Sequence, residues 1–198
     1  MSGLILASGS ASRQRMLSAA GVAYRISAAD LNETSLIADL WDKGEDAASI
    51  ATMLAEQKAL MVSRRSPGAL VLGGDSVLAF GNEIISKCRS LSELRALLKR
   101  LSGHSHQLIS AAALAREGAV LWRHTGQARM TMRALSEAFL DEYLAAEGEM
   151  LLSCVGGYRY EGRGAQLFAG MDGDFFTVLG LPLLAVLDAL RREGILAA

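Results

Sequence analysis

Leu4-Ile5-Leu6-Ala7-Ser8-Gly9-Ser10-Ala11-Ser12-Arg13 opens the chain with an apolar tetrad that runs straight into serines and a glycine. Four apolar residues bounded by a turn signal read as a short buried strand, and Met16, Leu17 and Ala20 beyond them share one side of a helix. Gly21 closes that helix and Val22 to Ser27 resumes an extended run. Strand, tight loop, helix and strand in that order predict an α/β fold.

The rest of the chain continues the alternation. A long helix is predicted from Asp46 through Ser63, with Ile50, Met53, Leu54, Gln57, Leu60 and Met61 as its stripe, ended by Pro67-Gly68. Leu70 to Ala79 reads as a core strand bent or bulged at Gly73-Gly74. Phe80-Gly81-Asn82 turns it back along Glu83 to Ile85. Leu91, Leu94, Leu97, Leu98 and Leu101 repeat at helical spacing behind Ser90 and Glu93, a capping-box pair. His106 to Leu114 and Val120 to Arg133 form two strands, each with one apolar face, joined at Arg116-Glu117-Gly118. Ser136 caps a helix with Phe139, Leu140, Tyr143 and Leu144 inward, stopped by Gly148. A strand around Gln166 to Met171 follows the glycine-rich stretch 156–164. The last helix, carrying Leu183, Leu184, Leu187 and Leu190, opens at Pro182. No repeat or linker divides the chain, so residues 1–198 read as one domain.

Composition narrows the function classes. Half of the 198 residues are hydrophobic (51%) and the net charge is −1, so the chain can bury a core and any anionic ligand must be held locally. The neutral balance, with no basic stripe interleaved by aromatics, argues against nucleic acid. The apolar start Met1-Ser2-Gly3-Leu4-Ile5-Leu6-Ala7 is too short and lacks the basic flank of a signal peptide. The longest apolar run, Phe175 to Leu187, is broken by Gly180 and Pro182 and falls short of the roughly 20 residues a span needs. Both point to the cytoplasm and away from the membrane. Cys88 and Cys154 stand in no metal-ligand spacing and read as buried free thiols.

Two segments carry chemistry. Ser8, Ser10, Ser12 and Arg13 deliver three hydroxyls, free backbone amides and a guanidinium to a helix start, the makings of a phosphate cradle. The same serines can equally be helix caps, and the lysine of a P-loop is missing. Asp75, behind two glycines on an apolar strand, is costly to bury unless paired or metal-bound. It reads as a metal ligand or general base rather than as a structural carboxylate. On their own Glu33 is a solvated carboxylate in the polar loop Asn32-Glu33-Thr34, and Lys58 and Lys87 are surface cations. His104 and His106 lack a third ligand. Tyr158, Tyr160 and Glu161 in the glycine-rich stretch line either a pocket or a plain loop.

Taken together these pieces resemble the Maf family of nucleotide pyrophosphatases. The resemblance runs through Leu6 to Arg13, Asn32-Glu33-Thr34, Leu54-Ala55-Glu56-Gln57-Lys58-Ala59 and Gly73-Gly74-Asp75-Ser76. It continues through Leu101-Ser102-Gly103-x-x-His106, Val155-Gly156-Gly157-Tyr158 and Val178-Leu179-Gly180-Leu181-Pro182-Leu183. It implies a two-lobed, ITPase-like α/β fold around a twisted mixed sheet flanked by helices, an active cleft between the lobes, and often a homodimer. The implied reaction splits a nucleoside triphosphate into monophosphate and pyrophosphate, with a divalent cation, Mg or Mn, held by Asp75 and Glu33. Asp75 matches the catalytic carboxylate. Ser8, Ser10, Ser12, Arg13, Lys58, Ser76, Lys87 and Glu161 fall at substrate-binding positions. Ala11 stands for the usual Pro, Ser12 for the first Arg of the branch acting on dTTP and UTP, and Ser76 for its Thr. Glu161-Gly162-x-Gly164 is nearer the 7-methyl-GTP branch, and a carboxylate there can pair with the N1 and N2 donors of guanine. The changes at Ala11 and Ser12 leave a second expectation, a non-catalytic nucleotide-binding regulator linked to septum or cell-shape control.

Overall fold

The computed structural model describes residues 3–197; Met1 and Ser2, read above with the apolar N-terminal run, lie outside the described residues. In chain order the elements are β1 (Leu4–Leu6), α1 (Ala11–Ala19), β2 (Tyr24–Ile26), α2 (Glu33–Asp42), α3 (Ala47–Arg64), β3 (Leu70–Phe80), β4 (Glu83–Ile85) and α4 (Leu91–Leu101). They continue with β5 (Ser105–Arg116), β6 (Ala119–Met132), α5 (Glu137–Glu147), β7 (Phe168–Gly173), α6 (Phe175–Val178) and α7 (Leu183–Arg192). Two 3₁₀ turns, Gly148–Ser153 and Arg163–Leu167, lie between α5 and β7. The seven strands form one mixed sheet in the order β2-β1-β3-β5-β6-β7, with β4 paired to β3. β1 is parallel to both neighbours, Leu4 and Leu6 lying opposite Leu70 and Leu72, while β4 and β7 pair antiparallel. Parallel neighbours need a crossover, which α1 supplies between β1 and β2.

The chain divides into two compact units, Met1–Ser76, Ile109–Gly126 and Asp174–Ala198 forming the first, Val77–Leu108 and Gln127–Gly173 the second. In the first, Leu4, Leu6, Leu17, Leu70, Leu72, Ala112, Leu114, Val186 and Leu190 make a continuous core. In the second, Leu94, Leu97, Leu98 and Leu101 of α4 are buried, as are Ala128, Met130 and Met132 on one face of β6. Gly157 sits so close to Leu94 that a Cβ there would collide with the leucine side chain.

Several expectations change. α3 is present, but its buried side is Ile50, Ala51, Leu54, Ala55, Lys58, Ala59, Val62 and Ser63, whereas Gln57 is exposed and Met53, Leu60 and Met61 are only half-buried. Small alanines define the face because the helix packs tightly on β3. The reason lies at Gly73, where a Cβ would strike the Ala55 carbonyl and stand 2.8 Å from the Ala59 amide. β3 therefore runs unbroken from Leu70 to Phe80, and its glycines serve close approach rather than a bend. Glu33 is not in a loop: it opens α2, capped by Asn32, whose side chain accepts from the Ser35 amide at 3.2 Å. β5 is buried on both faces from Leu108 to Ala115, as a strand between β3 and β6 must be. In α7 the buried residues are Leu183, Val186, Ala189 and Leu190, while Leu184 is exposed. Glu93 caps the Arg89 amide (2.8 Å) instead of returning to Ser90. Cys88 and Cys154 are free but only half-buried.

Candidate active site

The loop after β1 is built by its own hydroxyls. Ser10 caps α1, its Oγ accepting from the Arg13 amide at 3.5 Å. Ser8, buried, accepts from the Ser10 amide (3.2 Å) and from Arg13 Nη1 (3.1 Å). Ser10 is thus the helix cap, and Ser8 is a buried anchor for the guanidinium.

Arg13 is the hub. It is 7% exposed, donates from Nε to the Gly180 carbonyl (2.8 Å) and from Nη2 to Ser76 Oγ (3.0 Å). Three of its five N–H donors are therefore committed within the protein, so it is a fixed positive post rather than a free fork. Burial lowers its pKa, against which Asp75 and then Glu33 act to raise it. Ser12 donates to the Leu179 carbonyl (2.8 Å), so its hydroxyl also faces the 177–180 segment.

Asp75 lies on β3 beside this post and is 7% exposed. Its Oδ1 accepts from the Ser76 amide (2.7 Å), leaving Oδ2 to face Lys58 Nζ at 3.0 Å. Lys58, read from the sequence as a surface cation, is 6% exposed on the alanine face of α3. The same Nζ lies 2.6 Å from Glu33 Oε1, whose side chain is 40% exposed. Two carboxylates from different helix and strand elements thus converge on one ammonium, with the Arg13 guanidinium nearby. Gly74 allows this, because a Cβ there would press on Arg13 Nε at 3.2 Å.

One residue went unnoticed in the sequence. Ser110 on β5 is fully buried, shares a 2.8 Å hydrogen bond with Ser76 Oγ and donates to the Thr177 carbonyl at 2.8 Å. Since the Ser110 proton goes to that carbonyl, Ser76 donates to Ser110 and receives from Arg13. The result is a directed chain from guanidinium to hydroxyl to hydroxyl to carbonyl. A lone hydroxyl inside the buried run 108–115 was the available signal.

Lys87 and Glu161 belong to the second unit, where both are exposed. Glu161 lies 3.7 Å from Arg159 Nε. Also in that unit, His106 is buried, its Nε2 2.7 Å from Tyr158 Oη, and burial lowers its pKa to about 4. Its Nδ1 has no partner among the described residues. Tyr158, which meets Phe168 edge to face, is itself buried, which raises its pKa.

Against this geometry the comparisons are specific. A family model described as Maf-like protein matches residues 3–193. The chain belongs to the Maf family. A relative from Mesorhizobium japonicum named 7-methyl-GTP pyrophosphatase is 49% identical over 191 residues, covering 96% of each chain. One of the same name from Brucella abortus is 45% identical over 190 residues, again 96% of each. A Paramagnetospirillum magneticum relative named nucleoside triphosphate pyrophosphatase is 45% identical, covering 96% of this chain and 98% of its own. Among solved structures, a HAM1 protein from Coxiella burnetii is 18% identical over 67% of this chain and 73% of that one, with a TM-score of 0.41. Among the described residues no helix is long and apolar enough to cross a membrane.

Proposed function

We propose that this protein hydrolyses a nucleoside triphosphate to the monophosphate and pyrophosphate at the site around Asp75. The observation that carries the reading is the convergence of Asp75 Oδ2 and Glu33 Oε1 on Lys58 Nζ, beside the loop anchored by Arg13. Relatives bearing pyrophosphatase names along almost the whole chain support it.

The chain's own groups divide the work. The loop after β1 presents backbone amides at the start of α1, where partial positive charge favours phosphate oxygens. Arg13 supplies a fixed charge behind that loop, and Lys58 supplies a second one able to follow a phosphate oxygen as negative charge moves to the leaving pyrophosphate. Asp75, fixed through Oδ1, orients the attacking water with Oδ2, the oxygen that Lys58 Nζ meets at 3.0 Å.

The donor set also fits a divalent cation. Two hard carboxylate oxygens within reach of one point, completed by phosphates and water, is the arrangement that Mg or Mn takes, and Glu33 and Asp75 are the residues to hold it. Bound there, it would supply neutralisation of phosphate charge. We extend the proposal to the base: the Glu161 carboxylate accepts hydrogen bonds from guanine N1 and N2, which favours a guanine-type triphosphate, and the names of the Brucella and Mesorhizobium relatives support 7-methyl-GTP among these. A pyrophosphate-release assay over a panel of ordinary and modified triphosphates, with Mg or Mn, tests both parts. Release from no member of the panel overturns the hydrolase reading, and indifference to the base overturns only its extension.

A further inference from the structure

Lys58 Nζ occupies a point that both carboxylates reach. Asp75 Oδ1 is committed to the Ser76 amide, so Oδ2 is the oxygen left for any cation, and Lys58 Nζ already holds it at 3.0 Å while contacting Glu33 Oε1 at 2.6 Å. A buried ammonium cannot be left without an anion. Arg13, Lys58, Asp75 and Glu33 together balance to zero, with Arg13 coupled electrostatically to both acids. Placing a divalent cation on the same two carboxylates adds two positive charges to a site that holds two already, and strips Lys58 of its partners.

Resting on the hydrolase reading above, we infer that Lys58 is an internal competitor for the divalent cation, which yields Glu33 and Asp75 only when a polyphosphate oxygen takes over its Nζ. In the free protein Lys58 does the cation's structural work of holding the two acids together. With a nucleotide present it turns to phosphate, and the carboxylates become available. The consequence is strong coupling: metal alone binds poorly, and metal with triphosphate binds well.

Electron paramagnetic resonance titration of the full-length protein with Mn²⁺, without nucleotide, reads this directly. Lys58→Met and Lys58→Gln are expected to bind Mn²⁺ at least ten times more tightly than wild type, Lys58→Arg no more tightly, and Glu33→Gln in the Lys58→Met background to lose the gain. Circular dichroism selects the variants that are folded, and two neutral replacements guard against the loss of one. Equal Mn²⁺ affinity in wild type and the neutral variants overturns the inference, as does a gain that survives Glu33→Gln. Pyrophosphate release by wild type in the same preparations separates that failure from failure of the hydrolase reading.

Discussion

Gly73 of β3 lies directly against the backbone of Ala55 in α3, so closely that a methyl group on Gly73 has no room before the Ala55 carbonyl. The obstacle is main chain and cannot swing aside. This contact sets the helix-to-strand spacing that lets Lys58, three residues on, reach Asp75, two residues on. Gly73→Ala is expected to cost at least about 2 kcal/mol, read as a fall of roughly 4–8 °C in melting temperature. Gly74→Ala meets the Arg13 side chain instead. It should keep more of its stability and lose proportionately more turnover; the reverse ranking in melting and assay data would count against the packing account.

Asp75→Asn keeps the shape of the side chain but removes the charge that pairs with Lys58 and that, in the proposed reaction, orients water. Turnover is expected to fall at least about a hundredfold with circular dichroism unchanged. Wild-type pyrophosphate release by the variant would take Asp75 out of its assigned role.

His106 gives the fold an acid-side weakness. Unfolded, its imidazole titrates near 6.5; in the folded chain burial holds it at about 4. Between those values the unfolded chain takes up a proton that the native one refuses, so stability is full above pH 6.5 and drops as pH falls toward 4. Each pH unit in that interval removes up to about 1.4 kcal/mol. Urea unfolding of wild type against His106→Gln from pH 4 to 7 checks it: the difference should vary with pH, and parallel curves would refute it.

Ser110→Ala leaves the Thr177 carbonyl with the Gly180 amide alone (3.1 Å) and Ser76 with only its longer contact to the Gly180 carbonyl (3.3 Å). The expected loss is about 0.5–1.5 kcal/mol, seen as a lower urea midpoint with unchanged slope. Because Ser76 holds Arg13 Nη2, the Michaelis constant for the triphosphate should rise as well; unchanged kinetics would confine Ser110 to folding.

Glu161→Gln is expected to lower kcat/KM for a guanine-type triphosphate about tenfold or more while sparing triphosphates with other bases. A uniform change across bases would remove Glu161 from base selection.

Elements with a strong period or cap were legible in the sequence. The β1 loop and α1 follow from an apolar tetrad meeting serines, and α4 from five leucines at helical spacing. What escaped was packing that depends on small residues. Alanines 51, 55 and 59 look indifferent beside Met53 and Met61, yet they form the inner face of α3 and bury Lys58 with them. Gly73-Gly74 signals either a bend or a close approach, and only the neighbour decides which. α2 was hidden because its first turn, Glu33-Thr34-Ser35, is polar although Asn32 caps it. Of the site residues, Asp75 stands out as a carboxylate on an apolar strand and Arg13 as a guanidinium at a helix start, whereas the inward commitment of Arg13 to Ser8, Ser76 and Gly180 is a matter of three-dimensional contact alone.

The hydrogen bonds from Ser12 and Arg13 to the carbonyls of Leu179 and Gly180 each span 167 residues. On the ribosome the loop after β1 is made well before residues 179 and 180, so Ser12 and Arg13 have no acceptors there until 167 further residues have been added. Such distant closure is slow to form and is gained late. A chain stopped short of residue 179 therefore carries the loop after β1 without its Leu179 and Gly180 acceptors, and Arg13 is left with Ser8 and Ser76 alone.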